Sequence, residues 1–359
     1  MSDTSAESSA VLDDRATLHR LGYAQELYRS MGGFQNFAIS FTIISILAGC
    51  LTSYYIGFNQ GGPVAITWGW LIVGLACTFV SMAMGEIAST YPTAGGLYFW
   101  ASKLGGPAWG WFTGWFNLVG QIAVTAAIGF GCAIFMTSLL NLLWGYSNGF
   151  RWIYLMYAVI MLGSGLINMF KVSITAALNA FSAWWHMVGV VVLIAIMIIV
   201  PDHHQSFGYV FGQTLNNTGL GGTTTHGFIY VYVFLTGLLL SQYTITGYDA
   251  SAHMSEETRN ASLGAAWGMV MSVVVSVIFG FFLLVAVTFV VPSNSFTDSS
   301  GYIVQHIWQV SMGDRWAEFL IFVAVVAQCF CTIASTTSAS RMMFAFSRDR
   351  AVPGHQLWR

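Results

Sequence analysis

The sequence is short of charge. Asp, Glu, Lys and Arg make up 7% of it, against roughly a quarter in an ordinary soluble domain. None of the four occurs between Phe34 and Gly85, between Leu104 and Phe150, between Val172 and Pro201, or between Asn260 and Thr297. Helices there have no polar face to offer water, which excludes a soluble fold. There is no basic run, so nucleic acid is not an expected partner. Cysteine is sparse: Cys50, Cys77, Cys132, Cys329 and Cys331 all stand among apolar residues. Cys329 and Cys331 lack further ligands nearby, so packing residues are expected rather than a metal centre. No nucleophile–base pair, Walker loop or dinucleotide fingerprint is present, and neither enzyme chemistry nor a cofactor is expected. The first thirty residues carry Asp13, Asp14, Arg15, Arg20 and Glu26 instead of the apolar core of a cleavable leader. They read as a cytoplasmic tail over residues 1–33, partly disordered at Ser2 to Ala10.

What the chain has is apolar length. Hydrophobic residues are 56% of it, and a spanning helix needs about 20 of them in succession. Gly, Pro and charges divide the runs into eight spans: Phe34–Phe58, Ile66–Ala88, Trp109–Leu140, Trp152–Phe170, Leu178–Val200, Phe228–Met254, Ala265–Val291 and Trp316–Ala339. Lys and Arg favour cytoplasmic loops. With the N-terminus inside, Arg15, Arg20, Arg29, Lys103, Lys171, Arg259, Arg341, Arg348, Arg350 and Arg359 all fall inside, and only Arg151 and Arg315 outside. Tyr54, Tyr55, Trp144, Tyr146, Trp152 and Tyr154 cluster near span ends, where aromatic residues favour the lipid interface. Trp184 and Trp185 lie deeper and read as packing residues.

Two spans are interrupted. The first contains Ile44-Ser45-Ile46-Leu47-Ala48-Gly49-Cys50-Leu51-Thr52-Ser53, and the sixth Thr244-Ile245-Thr246-Gly247-Tyr248-Asp249-Ala250-Ser251-Ala252-His253. Both set Gly among small or hydroxyl residues at mid-depth, and the sixth adds a carboxylate. An ionisable group or unwound backbone at that depth belongs beside a cavity. Paired interruptions in corresponding spans of two repeats point to a secondary-transporter site. With five spans per repeat the first and sixth spans correspond, giving repeats over 34–200 and 201–359. Half-helix N-termini suit a carboxylate; freed carbonyls and Asp249 suit an ammonium. A small zwitterion satisfies both.

Three stretches carry a family likeness: Gly85-Glu86-Ile87-Ala88-Ser89-Thr90-Tyr91-Pro92-Thr93-Ala94-Gly95-Gly96-Leu97-Tyr98-Phe99-Trp100, Gly247-Tyr248-Asp249-Ala250-Ser251-Ala252-His253-Met254-Ser255-Glu256-Glu257-Thr258, and Ser340-Arg341-Met342-Met343-Phe344-Ala345-Phe346-Ser347-Arg348-Asp349-Arg350. On these the chain resembles the amino acid–polyamine–organocation superfamily, in its amino acid/choline branch that includes 4-aminobutyrate permeases. The resemblance implies an all-α, leucine-transporter-like inverted-repeat bundle with broken first and sixth helices. It implies a plasma-membrane carrier of an amino acid or related amine, driven by an ion gradient. By position, Ala48, Gly49 and Cys50 fall where relatives break the first helix around the substrate carboxylate, with Cys a departure from Gly. Gly247, Tyr248, Asp249 and Ala250 fall on the sixth-helix break, with Asp249 at a gating acid. The family has twelve spans, so the stop at Arg359 implies a truncated second repeat.

Coupling has two candidate readings. Asn179, His186 and Gly189 keep a spacing at which many relatives have Lys in place of His186; proton-coupled relatives put that ammonium where others bind sodium. His titrates near neutrality, so His186 is the proton candidate, with a buried packing histidine as the plain alternative. Ser335 and Thr336 in the eighth span offer oxygens to a sodium ion instead. Glu86 reads as a gate residue or a helix-end charge. Asn117 and Gln121 read as path-lining or as interhelical glue, and Glu256, Glu257 and Arg259 as a solvated inner loop. The competing functions are a choline or polyamine carrier or exchanger, and a non-transporting truncated permease or sensor.

Overall fold

The computed structural model describes residues 2–147, 149–169, 172–298 and 300–358, with the backbone alone at 2–10, 172 and 173. Lys171 and Arg359, used above to orient the spans, lie outside the described residues. The tail forms α1 (Ser2–Arg20), helical also where disorder was expected. The first span is two helices, α2 (Gly33–Ile44) and α3 (Ile46–Asn59). After β1 (Gln60–Gly61) come α4 (Pro63–Thr90), α5 (Leu97–Gly105), α6 (Pro107–Trp144), α7 (Phe150–Asn168) and α8 (Val172–Ile199). Then follow α9 (Phe207–Gly212), β2 (Leu215–Asn216) and the sixth span as α10 (Gly227–Gly237), α11 (Leu239–Thr244) and α12 (Ala250–His253). The seventh span is α13 (Ala261–Phe289), followed by α14 (Ile303–Met312) and the eighth span, α15 (Asp314–Arg348). Among the described residues 8 helical stretches are long and apolar enough to cross a membrane, matching the eight read from sequence. The sequence did not announce the short helices α5, α9 and α14, which occupy expected loops.

Loop pairings show that successive spans alternate in direction. On one side, β1 and β2 join the loop after span one to the loop after span five. Asn59 Nδ2 there donates to Asp298 O in the loop after span seven, at 2.8 Å. On the opposite, tail side, Arg29 reaches the loop after span six, and Tyr23 reaches Asp349 at the end of α15.

The bundle is apolar inside and out. Span one is its axis: α2 and α3 are nearly all buried, and Tyr54, Phe58, Trp70 and Trp308 are fully covered in one cluster with spans two, five, seven and eight. The rim presents Phe116, Leu162 and Phe228 outward, as a lipid-facing surface must, because no water reaches it to reward polarity. Two aromatic expectations are corrected. Tyr54 is not an interface anchor but a core residue, its hydroxyl 2.9 Å from Thr288 Oγ1. Trp184 is exposed on the rim, whereas Trp185 packs inward and donates to Val323 O at 3.1 Å.

Candidate functional site

The first span breaks at Ser45, three residues before Ala48. Ser45 has φ 39° and ψ 75°, a left-handed conformation uncommon without Gly. Its N–H still bonds Phe41 O, and its own carbonyl accepts from Ala48 N and Gly49 N, at 2.8 Å each. The expected break at Ala48, Gly49 and Cys50 is therefore corrected: all three are helical, in the opening turns of α3. The kink leaves the N–H groups of Ile46 and Leu47 and the carbonyls of Thr42 and Ile44 without a backbone partner among the described residues. Gly49 serves close approach: a Cβ on it would lie 2.6 Å from Thr244 Cγ2.

His186 secures this break. It is fully buried, with Nε2 2.7 Å from Ser45 Oγ and Nδ1 2.8 Å from Ser182 O. A carbonyl only accepts, so Nδ1 carries the proton and Nε2 accepts from the Ser45 hydroxyl. The sixth span breaks where expected. Ile245 to Asp249 are non-helical, and Gly247 takes φ +85° against Ile43, where a Cβ would meet Ile43 Cγ2 at 2.3 Å. The two breaks thus pack on each other. Ser40 Oγ ties them, donating to Tyr248 O at 2.9 Å and accepting from Ser251 N at 2.9 Å.

Between the breaks lies a cavity of about 20 Å³, room for about one water. Its wall is Ile43, Ile44, Ala48, Gly49 and Thr52 of span one, Tyr243, Thr244 and Thr246 of span six, Val124, Ala127, Ile128 and Gly131 of α6, and Gln328 and Cys331 of α15. Of the residues named from sequence, Ala48 and Gly49 line it. Cys50 and Ala250 are fully buried elsewhere in the packing. Tyr248 packs between the central core and the tail-side core. Asp249 is also off the cavity wall. Its Oδ2 faces Gln121 Nε2 and His253 Nε2, at 3.4 Å each, and Asn117 Nδ2 lies 3.4 Å from the same His nitrogen.

Toward the tail, the buried face closes with paired charges. Glu256 accepts a bidentate fork from Arg348 at 2.8 and 2.9 Å and a third bond from Ala94 N at 2.9 Å. Glu257 pairs with Arg341. Burial pushes the Glu257 carboxyl above its usual range, against the pull of Arg341. His253 Nδ1 lies 2.9 Å from Ala94 O. Asp349 accepts from Tyr23 and Tyr98, each at 2.8 Å, and the Arg348 guanidinium stacks 4.1 Å over the Tyr23 ring. The tail joins in: Arg29 donates to Ser255 O and Thr258 O, and Asp14 caps the first N–H groups of α13. Glu256 and Glu257 are thus wholly buried and ion-paired, not a solvated loop. Glu86 is exposed on α4, away from these pairs. All three stretches that carried the family likeness meet in this network.

The chain from residue 31 to 359 matches the profile described as Amino acid permease. The chain belongs to the amino acid permease family. It is 39% identical to the amino-acid permease BAT1 of Arabidopsis thaliana, over 95% of this chain and 69% of that one. It is 38% identical to the rice BAT1 homolog (Oryza sativa subsp. japonica) over 96% of this chain and 69% of that one. Among solved structures it resembles that of Mhp1, a nucleobase-cation-symport-1 family transporter, closed with bromovinylhydantoin bound. The TM-score is 0.50 at 17% identity, over 92% of this chain and 70% of that one. With its eight apolar spans, this family member is a multi-pass membrane protein of leucine-transporter-like fold.

For this permease-family chain the site residues named from sequence included only Ala48 and Gly49 of the cavity wall. Thr52, Tyr243 and Thr244 stand within a turn or two of the interruptions, and that proximity was a usable signal. Gln328 and Cys331 carry no local signal, because only the packing of α15 across span one brings them in. Of the two sodium candidates, Thr336 Oγ1 is committed to Thr332 O and Ser164 Oγ, at 2.8 Å each, facing α7. Ser335 Oγ is buried without a partner among the described residues.

Proposed function

We propose that the chain is a secondary carrier that moves a small zwitterionic amino acid across the plasma membrane, with its N-terminal tail in the cytoplasm. The observation behind this is the meeting of two interrupted helices at one small cavity. The α-carboxylate docks on the unpaired N–H groups at the start of α3, and the ammonium on carbonyls freed at the end of α2 and after Thr244. Residues 34–200 and 201–359 act as repeats rocking about this site. The paired charges from Glu256 to Asp349 form the cytoplasmic gate, and Asp249 links site to gate through His253.

Transport is coupled to protons. Support comes from His186, whose Nε2 holds the hydroxyl of the break residue. Protonating Nε2 turns it from acceptor to donor and reverses that bond, so the Ser45 hydroxyl must send its own proton to another acceptor at the break. Uptake of radiolabelled amino acids into proteoliposomes, with and without an imposed pH gradient, tests the reading. Accumulation driven by an inward proton gradient is expected, and His186→Ala should abolish the gradient's effect. Full proton dependence in that variant removes His186 from the mechanism. Uptake that instead follows a sodium-for-potassium exchange at fixed pH moves the coupling to an oxygen site beside Ser335.

A further inference from the structure

Gln328 stands on α15 in the wall of the small cavity between the breaks. It is 1% exposed, and neither its Nε2 nor its Oε1 has a hydrogen-bond partner among the described residues. A primary amide brings donors and an acceptor, and burying both ends unpaired is costly. The three wall threonines already donate their hydroxyl protons to backbone carbonyls. Thr52 Oγ1 bonds Ala48 O, Thr244 Oγ1 bonds Leu240 O, and Thr246 Oγ1 bonds Tyr243 O, each at 2.8 Å. The Cys331 thiol, on the same helix, bonds Ile43 O. The cavity wall includes no Asp, Glu, Lys, Arg or His. Gln328 is therefore a free amide in an otherwise uncharged chamber.

We propose that Gln328 reads the substrate's side chain, and that the preferred substrate is a neutral amino acid ending in a carboxamide. This rests on the carrier reading above. With the zwitterion's head on the two breaks, its side chain is left to face α6 and α15. A carboxamide meets Gln328 with a donor for Oε1 and an acceptor for Nε2, so both orphaned atoms are paired at once. A carboxylate has only acceptors and leaves Oε1 unpaired. An ammonium or guanidinium has only donors and leaves Nε2 unpaired. Either also brings a net charge into a wall with nothing to balance it. An aliphatic side chain leaves both amide atoms orphaned.

The test is uptake of radiolabelled glutamine and alanine by the full chain in proteoliposomes, competed by asparagine, leucine, glutamate and lysine. Thermal stabilisation of the purified protein by each amino acid is measured alongside. The wild type should prefer glutamine and asparagine. Gln328→Leu should lower glutamine uptake relative to alanine by about tenfold to a hundredfold, with a cooperative thermal transition in detergent showing that the variant is folded. Gln328→Asn, which keeps an amide, should retain the order of preference. A wild type that does not prefer carboxamides, or a Gln328→Leu protein with the wild-type glutamine-to-alanine ratio, overturns the assignment while leaving the carrier intact. A wild type neither stabilised by nor transporting any of the six overturns the carrier reading and this assignment together.

Discussion

Replacing Glu256 with Gln isolates the electrostatics of the proposed gate. The substitution keeps the shape and an oxygen for the Ala94 N–H, but removes the charge that the Arg348 fork grips at 2.8 and 2.9 Å. The Glu256 side chain is 0% exposed and that of Arg348 7%, so water does little to screen the loss. Breaking a buried pair on one side costs about 3–5 kcal/mol. The retained Ala94 bond argues for the lower end, about 3 kcal/mol. If the pair exists only with the gate closed, the closed-to-open ratio falls on the order of a hundredfold, at 1.36 kcal/mol per decade. A cysteine at Asn117, behind the gate beside His253, reports the change when the five native cysteines are replaced. An impermeant thiol reagent applied from the tail side should label it on the order of a hundredfold faster in Glu256→Gln. Adding Arg348→Gln removes the stranded charge, so the double variant should label more slowly than Glu256→Gln alone. An unchanged rate in well-folded Glu256→Gln protein refutes the gate, and so does a double variant that labels faster still.

Glu257 gives the same gate a pH dependence. Its carboxyl is raised by burial, so the closed form binds a proton more readily than the hydrated one. Stability from this group is full below the ordinary Glu value of about 4.3 and is lost as pH rises to the raised value; labelling should quicken with pH across that window, and Glu257→Gln should flatten it. Gly247→Ala forces a Cβ to within 2.3 Å of Ile43 Cγ2 at φ +85°, and a loss of about 1–3 kcal/mol should appear as a lowered Tm in detergent. Cys132 Sγ lies 3.5 Å from Cys329 Sγ, so mild oxidation should cross-link α6 to α15 and arrest uptake, with reductant restoring it; Cys132→Ser should be insensitive.

The spans were legible because their signal is local: an apolar run of sufficient length bounded by Gly, Pro or charge. The sixth break was legible for the same reason, since Gly247 must be Gly at a positive φ. The first break was misplaced because its kink residue is Ser45, which announces nothing by itself. Its left-handed backbone is held by Phe41 O and by a histidine 141 residues away in sequence. Gly49 drew attention as a hinge but is there to admit Thr244. Glu256 and Glu257 looked like a wetted loop because their arginines stand 92 and 84 residues further on. Those pairings are long-range, and their hydrophobic surroundings come from other spans. Gln328 is the clearest case: only the packing of α15 brings its amide, unpartnered among the described residues, to the cavity wall.

The small size of the cavity bears on leakage. At about 20 Å³ it holds far less than an amino acid, so on the proposed carrier reading the two broken helices must part to admit a substrate. An unladen carrier with room there for about one water would take little solvent, and no hydrated ion, on its return. On the proposed proton-coupled reading, the gradient would then be spent only on trips that carry cargo.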